Sequence, residues 1–467
     1  MSATPHAGLL PLYLALYDEC LPDLRPQVAA FAAEVAQSLR GAGLRVSEAP
    51  ICTVRPEFEA ALADLVAADV ALVVTLHLAY SPSLESVDAL AACGKPIVML
   101  DTTPDADFGR HVDPALLLAN HGIHGVQDLA AMLRRRGAAY RVVAGHLSNP
   151  EPLRRTAELA RAALAARRFG SMRALRVGFP FAGMGDFAVE EETLRRRLGI
   201  EASEIAADAL APFAAAVTDE EIDAEVAADR AAFQADLPAD VHRTSVRVGL
   251  GLRRALEAGG YGAFSVNFQA FVQADGPVCT VPFLECCKAM ARDVGYAGEG
   301  DLLTASLVGA LLAGWEGVTF TEMFCADWQG DGLFLSHMGE VNPASAAATP
   351  RLYEKAYPFS PAQNPATLAC ALRPGPATLV NLSPGPDESF RLIAAEVEVL
   401  EDGTHAARLD WIRSWVRPQA PVARFLETYS QLGGTHHCAL MPGIRHEALA
   451  EFARIAGLEF RPVEAGR

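Results

Sequence analysis

The first 170 residues alternate two kinds of apolar pattern. In LLPLYLALY (9–17), VALVVTLHL (70–78) and PIVMLDT (96–102) nearly every position is apolar, as in strands buried on both faces. Between them apolar residues recur at three- and four-residue spacing, which predicts helices over 26–43, 57–68 and 83–94, the first stopped by Gly41 and Gly43. A helix over 126–137, the strand YRVVAGH (140–146) and a helix over 151–168 complete the segment. Buried strands separated by helices build a parallel sheet covered on both faces.

The pattern restarts at ALRVGFPFAG (174–183), which opens a second α/β unit. A helix over 218–237 with acidic residues in its first turn, where the helix dipole favours them, reads as a solvated face. A strand and loop at 260–271, a helix over 284–295 and the segment 297–314, where Gly-Glu-Gly-Asp precedes a helix, follow it. From about residue 330 Pro and Gly become dense. The β-type runs 366–372, 377–383, 389–400 and HAARLDWIRSW (405–415) are separated by turn signals and closed by a helix over 447–457. The expected fold is α/β: two doubly wound Rossmann-like domains, 1–170 and 171–328, then a β-rich, antiparallel, barrel-like domain, 329–467.

Composition narrows the classes. At 467 residues, 51% apolar and 21% charged, the chain can bury two or three cores. A formal charge of −18 argues against nucleic acid as a partner, since binding to phosphates needs clustered Lys and Arg. No basic segment precedes the first apolar run and no stretch approaches about 18 uninterrupted apolar residues, so no membrane association is expected. The nine cysteines are scattered without a C-x-x-C pair and read as reduced thiols of a cytoplasmic protein.

Nucleotide and serine-hydrolase motifs are absent: there is no G-x-x-x-x-G-K-[ST], no G-x-G-x-x-G after the first strand and no G-x-S-x-G. What remains are carboxylates and imidazoles near element ends. Glu299 stands between two glycines in AGEGD, Glu322 follows an apolar run in FTEMF, His337 lies in SHMGE, and His436 and His437 form the pair in GGTHH. Taken singly, each has an ordinary explanation: a helix cap, a solvated carboxylate, a hydrogen-bonded core histidine. As a set they make an oxygen and nitrogen shell without thiolate, which suits Mn²⁺, Mg²⁺ or Co²⁺ better than structural zinc. Such a site can hold two neighbouring sugar oxygens while a carboxylate moves a proton between adjacent carbons, the chemistry of ene-diol isomerisation.

In order and approximate spacing, AGEGD, FTEMF, SHMGEVNP and GGTHH resemble the metal-site motifs of the L-arabinose isomerases, within the arabinose/fucose isomerase superfamily. LVVTLHLAYSP, KPIVMLDTT, NHGIHGVQDLAAMLRRRG and NPATLACALRPGPATLVNLSPGPDESFRL extend the resemblance over nearly the whole chain. It implies Glu299, Glu322, His337 and His437 as metal ligands, with Glu299 and Glu322 also the acid–base pair. It further implies substrate contacts from His436, from Met184 in AGMGDF, from Phe268 in SVNFQAF, and from His124 reaching a neighbouring protomer's site. Mn²⁺ is the metal implied, and a homohexamer with sites between subunits is the implied assembly. The family's Gln-His-Leu-Tyr-Gly loop after the first strand is replaced by LYDECLPD, with Asp18 and Glu19, so the sugar could be L-arabinose or an L-fucose/D-arabinose-like aldose. The alternative is a non-catalytic cytosolic sugar-binding or regulatory protein of the same fold, for which four ligand-type residues have no use.

Overall fold

The computed structural model describes residues 4–402 and 410–464, and it divides into two compact units, one ending at Leu164 and one starting at Ala165. In the first, β1 (His6–Leu12), β2 (Arg45–Glu48), β3 (Leu72–His77), β4 (Ile97–Asp101) and β5 (Tyr140–Ala144) form a parallel sheet in the order β2-β1-β3-β4-β5. Every residue of β1 and β3 is buried, which explains their unbroken apolarity. The strand expected over 9–17 ends at Leu12, and residues Ala15–Cys20 form a short helix instead. Leu78 N–H closes on the Leu12 carbonyl and Tyr13 N–H on Cys52, after which β1 has no further ladder partner. Arg25 then lies over the Tyr13 ring at 5.3 Å and pairs with Asp18 at 2.6 Å, fixing the turn.

The second unit opens with β6 (Arg173–Val177), β7 (Glu201–Ile205), β8 (Gln234–Asp236), β9 (Ala263–Val266) and β10 (Gly295–Gly298). Four of these make a parallel sheet, β10-β9-β6-β7, so the chain leaves β6 on one side for β7 and returns on the other for β9. The helix Leu302–Gly314, buried almost throughout, follows β10. Next come β11 (Thr319–Asp327), β12 (Gly332–Ser336), β13 (Arg351–Glu354), β14 (Ala366–Ala369), β15 (Gly375–Pro384), β16 (Phe390–Val399), β17 (Ser414–Pro418), β18 (His437–Pro442) and β19 (Glu459–Pro462). Strands β15-β18-β11-β12-β17-β16 are consecutively paired and antiparallel. The long β15–β16 pairing, Gly375↔Val399 to Pro384↔Phe390, closes them into a barrel. Leu333, Leu335, Leu379, Ile393, Val397 and Val416 pack in its core cluster. The anticipated barrel-like region is thus a barrel, and it begins earlier: β11 belongs to it, so Glu322 stands on a barrel strand and position 328/329 falls in the β11–β12 hairpin turn. Of the run 405–415, residues 405–409 lie outside the described residues.

The acidic helix spans Asp219–Ala232, shorter than the expected 218–237, because Gln234–Asp236 pairs with β13 as a strand. Thr218 and Glu221 close a capping box at its start. Its acidic face is only partly solvated. Asp229 is buried against His242 and Lys288, and Glu225 takes Arg253 at 2.6 Å together with Lys288. Burial alone would raise the Glu225 carboxyl, but its bonds to Arg253 and Lys288 overcome that and hold it down at about 2. Because the folded value is depressed, the ionised group stabilises the fold fully above the unfolded carboxylate value, about 4.3, and this contribution fades as pH falls towards about 2. The stability gap between wild type and Glu225→Gln, from urea unfolding, is expected to be largest near about pH 7 and to narrow below about pH 4.5. A gap constant across that range would contradict the assignment.

Candidate active site

The site is organised by the turn Gly298–Asp301, at the carboxyl end of the edge strand β10, on the side of the sheet where open parallel sheets place their ligands. Glu299 adopts a left-handed backbone (φ 63°), which costs a non-glycine residue on the order of 1–2 kcal/mol. Its surroundings fix it there. Glu299 N–H donates to Val266 O (3.0 Å), Gly300 N–H to Ser265 Oγ (2.9 Å) and Asp301 N–H to Gly298 O (3.0 Å). The Glu299 carbonyl accepts from Phe181 N–H (3.0 Å), and that of Gly300 from Nε of the buried Arg176 (3.0 Å). Asp301 is fully buried: one carboxylate oxygen caps the following helix at Thr304 N–H (2.8 Å) and the other meets His437 Nδ1 (2.9 Å). At Gly298 a Cβ would lie 2.7 Å from His337 Cε1, so the missing side chain makes room for that ring.

The barrel supplies the opposing groups. Glu322 of β11 stands across from His437 of β18 on one side and from Ser336 of β12, next to His337, on the other. Glu299 Oε2 lies 3.7 Å from His437 Nε2 and 3.8 Å from His436 Nε2, and one donor atom from each of these three residues falls within 4.8 Å of the others. The His337 and His437 rings are 5.7 Å apart, with Phe320 edge-on to both at 4.7 and 5.0 Å. Phe187 stacks on His437 at 5.2 Å.

Each of the three imidazoles presents Nδ1 to a carboxylate: His337 to Glu340 (2.7 Å), His436 to Asp186 (2.6 Å) and His437 to Asp301. An ionised carboxylate only accepts, so Nδ1 carries the proton. Burial would lower His436, yet its bonds to Asp186 and Glu299 and the charges of Asp186 and Glu322 push it up to about 10. His337 is likewise raised against the effect of burial, by Glu340 first and then by the charges of Glu322 and Glu299. Burial would raise Glu299, but its contact with His436 and the charges of His337 and His437 keep it below the usual carboxylate range. Glu322 has no hydrogen-bond or ion-pair partner among the described residues.

The donor set fits a divalent cation. His437 Nε2 is buried without a hydrogen-bond partner, a condition that costs about 1–3 kcal/mol if nothing occupies it. Imidazoles anchored through Nδ1 on carboxylates are the usual arrangement of histidine ligands.

Five of the residues singled out in the sequence, Glu299, Glu322, His337, His436 and His437, are brought together. Phe268 opens the turn after β9, with its ring 5.9 Å from Phe181 and 5.7 Å from Tyr357; Met184 lies half-buried in the turn after Phe181. His124 belongs to the first unit, where its Nδ1 lies 2.7 Å from His121 Nε2 and it lines a cavity of about 500 Å³ with Asp101, Thr102, Asn120 and His146. Sequence reasoning passed over Asp186, Asp301 and Glu340, although each lies within a motif already noted, and over Tyr296.

Models of the L-arabinose isomerase N-terminal, central and C-terminal domains match residues 16–170, 184–313 and 317–459 in turn. L-arabinose isomerases of Nocardioides sp., Acidothermus cellulolyticus and Arthrobacter sp. are 29%, 26% and 25% identical to the chain. The alignments cover 95%, 95% and 97% of it, and 91%, 90% and 90% of the relatives. The C-terminal match starts at 317, just before β11, in keeping with that strand's place in the barrel. Fold and matches together define a sugar aldose–ketose isomerase, an intramolecular oxidoreductase. More closely, the chain belongs to the L-arabinose isomerase family. Among the described residues no helix is long and apolar enough to cross a membrane.

Since Asp301 both caps a buried helix and partners a buried imidazole, Asp301→Ala is expected to lower unfolding free energy by about 1–3 kcal/mol in urea titrations. A loss below about 0.5 kcal/mol, typical of surface substitutions, would show that the turn does not depend on it.

Proposed function

We propose that the chain is a metal-dependent isomerase that converts L-arabinose, or a closely related aldose, to its ketose through an ene-diol. The observation that carries this reading is the meeting of Glu299 with the unpartnered Nε2 of His437, beside Glu322 and His337. Glu299, Glu322, His337 and His437 would hold a divalent cation, Mn²⁺ foremost and Mg²⁺ or Co²⁺ as chemically suitable alternatives. When bound, that cation supplies positive charge to two neighbouring sugar oxygens and lowers the cost of the negative charge developing on them.

The chain's own groups move the protons. From the open-chain aldose one carboxylate of the Glu299/Glu322 pair takes the C2 proton; the electron pair left behind forms the C1–C2 double bond, and the carbonyl oxygen on C1 gains a proton. The O2 hydroxyl then loses its proton as the C2 carbonyl forms, and C1 is protonated. The sum is a shift of two hydrogens within the sugar, with nothing gained or lost. Glu299 is suited to accept a proton because the surrounding imidazoles keep it ionised. His436, held at both Nδ1 and its backbone N–H by Asp186, is placed to donate to a substrate hydroxyl. Met184 and Phe268 line the apolar side of the sugar.

The protein works in the cytoplasm as a homohexamer, with His124 completing the site of an adjacent protomer. The Asp18–Arg25 pair gives the loop after β1 a carboxylate, which bears on which aldose is preferred among L-arabinose, L-fucose and D-arabinose.

Mn²⁺-loaded enzyme is expected to form ketose from one member of a panel of four- to six-carbon aldoses, and chelation by EDTA to abolish the reaction. Glu299→Gln and Glu322→Gln should each lower kcat by about 10²–10⁴-fold with circular dichroism unchanged. A folded Glu322→Gln enzyme with a near-normal rate would remove Glu322 from the pair.

A further inference from the structure

We propose that Glu340, backed by Tyr296, is a positioning residue that fixes the His337 imidazole with its proton on Nδ1 and its Nε2 lone pair available to a metal. This deepens the metal-site reading above and rests on it. Glu340 is buried, with both carboxylate oxygens engaged: Oε2 accepts from His337 Nδ1 and Oε1 from the Tyr296 hydroxyl, each at 2.7 Å. Among the described residues no lysine or arginine pairs with it, and the imidazole is its one basic partner. A buried carboxylate is expensive, and a packing role would be filled at lower cost by an apolar side chain. Its burial with both oxygens engaged points to work done through His337.

The geometry around the pair restricts both partners. Tyr296 sits on β10 two residues before Gly298, with its ring 5.1 Å from Phe264 and 5.7 Å from Phe320. Phe320 also presses on His337, so the phenol and the imidazole share one aromatic wedge. The Gly339 carbonyl, one residue before Glu340, accepts from Thr367 Oγ1 (2.5 Å) and Cys287 Sγ (3.2 Å), and Val341 N–H closes on the same sulfur. With the loop fixed on both sides, Glu340 cannot turn away from His337. A chain of hydrogen bonds therefore runs from the parallel sheet, through Tyr296 and Glu340, to a barrel histidine. Replacing Glu340 by Gln can turn an amide donor towards Nδ1, which would leave the ring proton on Nε2 and occupy the position the metal needs.

The test is calorimetric titration of the metal-stripped full-length protein with Mn²⁺. It compares wild type, Glu340→Gln, Tyr296→Phe, His337→Gln and the Glu340→Gln/His337→Gln double variant. Glu340→Gln is expected to bind Mn²⁺ about 10–100-fold more weakly. Tyr296→Phe should lose affinity in the same direction, about threefold or more, and should alter the visible absorption of the Co²⁺-loaded protein. The double variant should bind no more weakly than His337→Gln alone, since Glu340 acts through that ring. Folded Glu340→Gln with wild-type affinity, or losses that add in the double variant, would overturn the proposal while leaving the metal site standing. Should Glu340→Gln fail to fold, the near-isosteric Tyr296→Phe decides by the same two readouts, and unchanged affinity and spectrum overturn the proposal. Wild type that binds no Mn²⁺ removes the metal reading and this inference with it.

Discussion

The structure of the site depends on Asp301, whose two carboxylate oxygens face in different directions. One caps the nearly all-apolar helix Leu302–Gly314; the other holds His437 at the first position of β18. The helix is buried along almost its whole length, so its start cannot shift without disturbing the second unit's core. That rigidity passes to His437 through a single hydrogen bond, and to Glu299 through a turn only two residues long. A left-handed glutamate in this position is held by five backbone hydrogen-bond contacts around the turn, and its carboxylate has little freedom left. Preorganisation of this kind would serve the proposed proton-transfer pair, since a carboxylate that swings loses both distance and direction.

Two architectures meet at that turn. The parallel sheet contributes groups from loops at its carboxyl edge: Asp186 and Phe187 after β6, Phe268 after β9, Glu299 and Asp301 after β10. The closed barrel contributes Glu322 and His437 from strands, His436 just before β18 and His337 just past the end of β12. Barrel closure removes open edges and sets the strand register, so Glu322 and His437 stay directly opposed. Each imidazole is paired with a carboxylate from elsewhere in the chain or the next turn, so the site is built from charge balance as much as from shape.

Much of this was legible in the sequence. Strands covered on both faces leave near-continuous apolar runs, and β3 and β4 fell where those runs stood. The end of β1 did not, because apolarity continues to Tyr17 whereas ladder partners stop after Tyr13, a fact of tertiary pairing. The dense turns after residue 330 announced the barrel; its closure through β15 and β16, and the entry of β11, depend on register that no local pattern encodes. The five polar residues of the site stood out because they follow glycines or short apolar runs, although Glu322 proves to lie within β11 rather than at its end. Their partners did not. Asp186 meets His436 across 250 positions, and Tyr296 reads in isolation as an ordinary core aromatic. A carboxylate's role in such a site is set by which imidazole the fold brings to it, and only the folded chain supplies that.

The central claim is that Glu299, Glu322, His337 and His437 converge on one cation. Anomalous diffraction at the manganese edge from crystals grown with Mn²⁺ tests it most directly. The account predicts one strong peak bounded by those four side chains. A peak held by Glu299, His436 and His437 without Glu322 and His337, or no peak beside Glu299 at all, would contradict it.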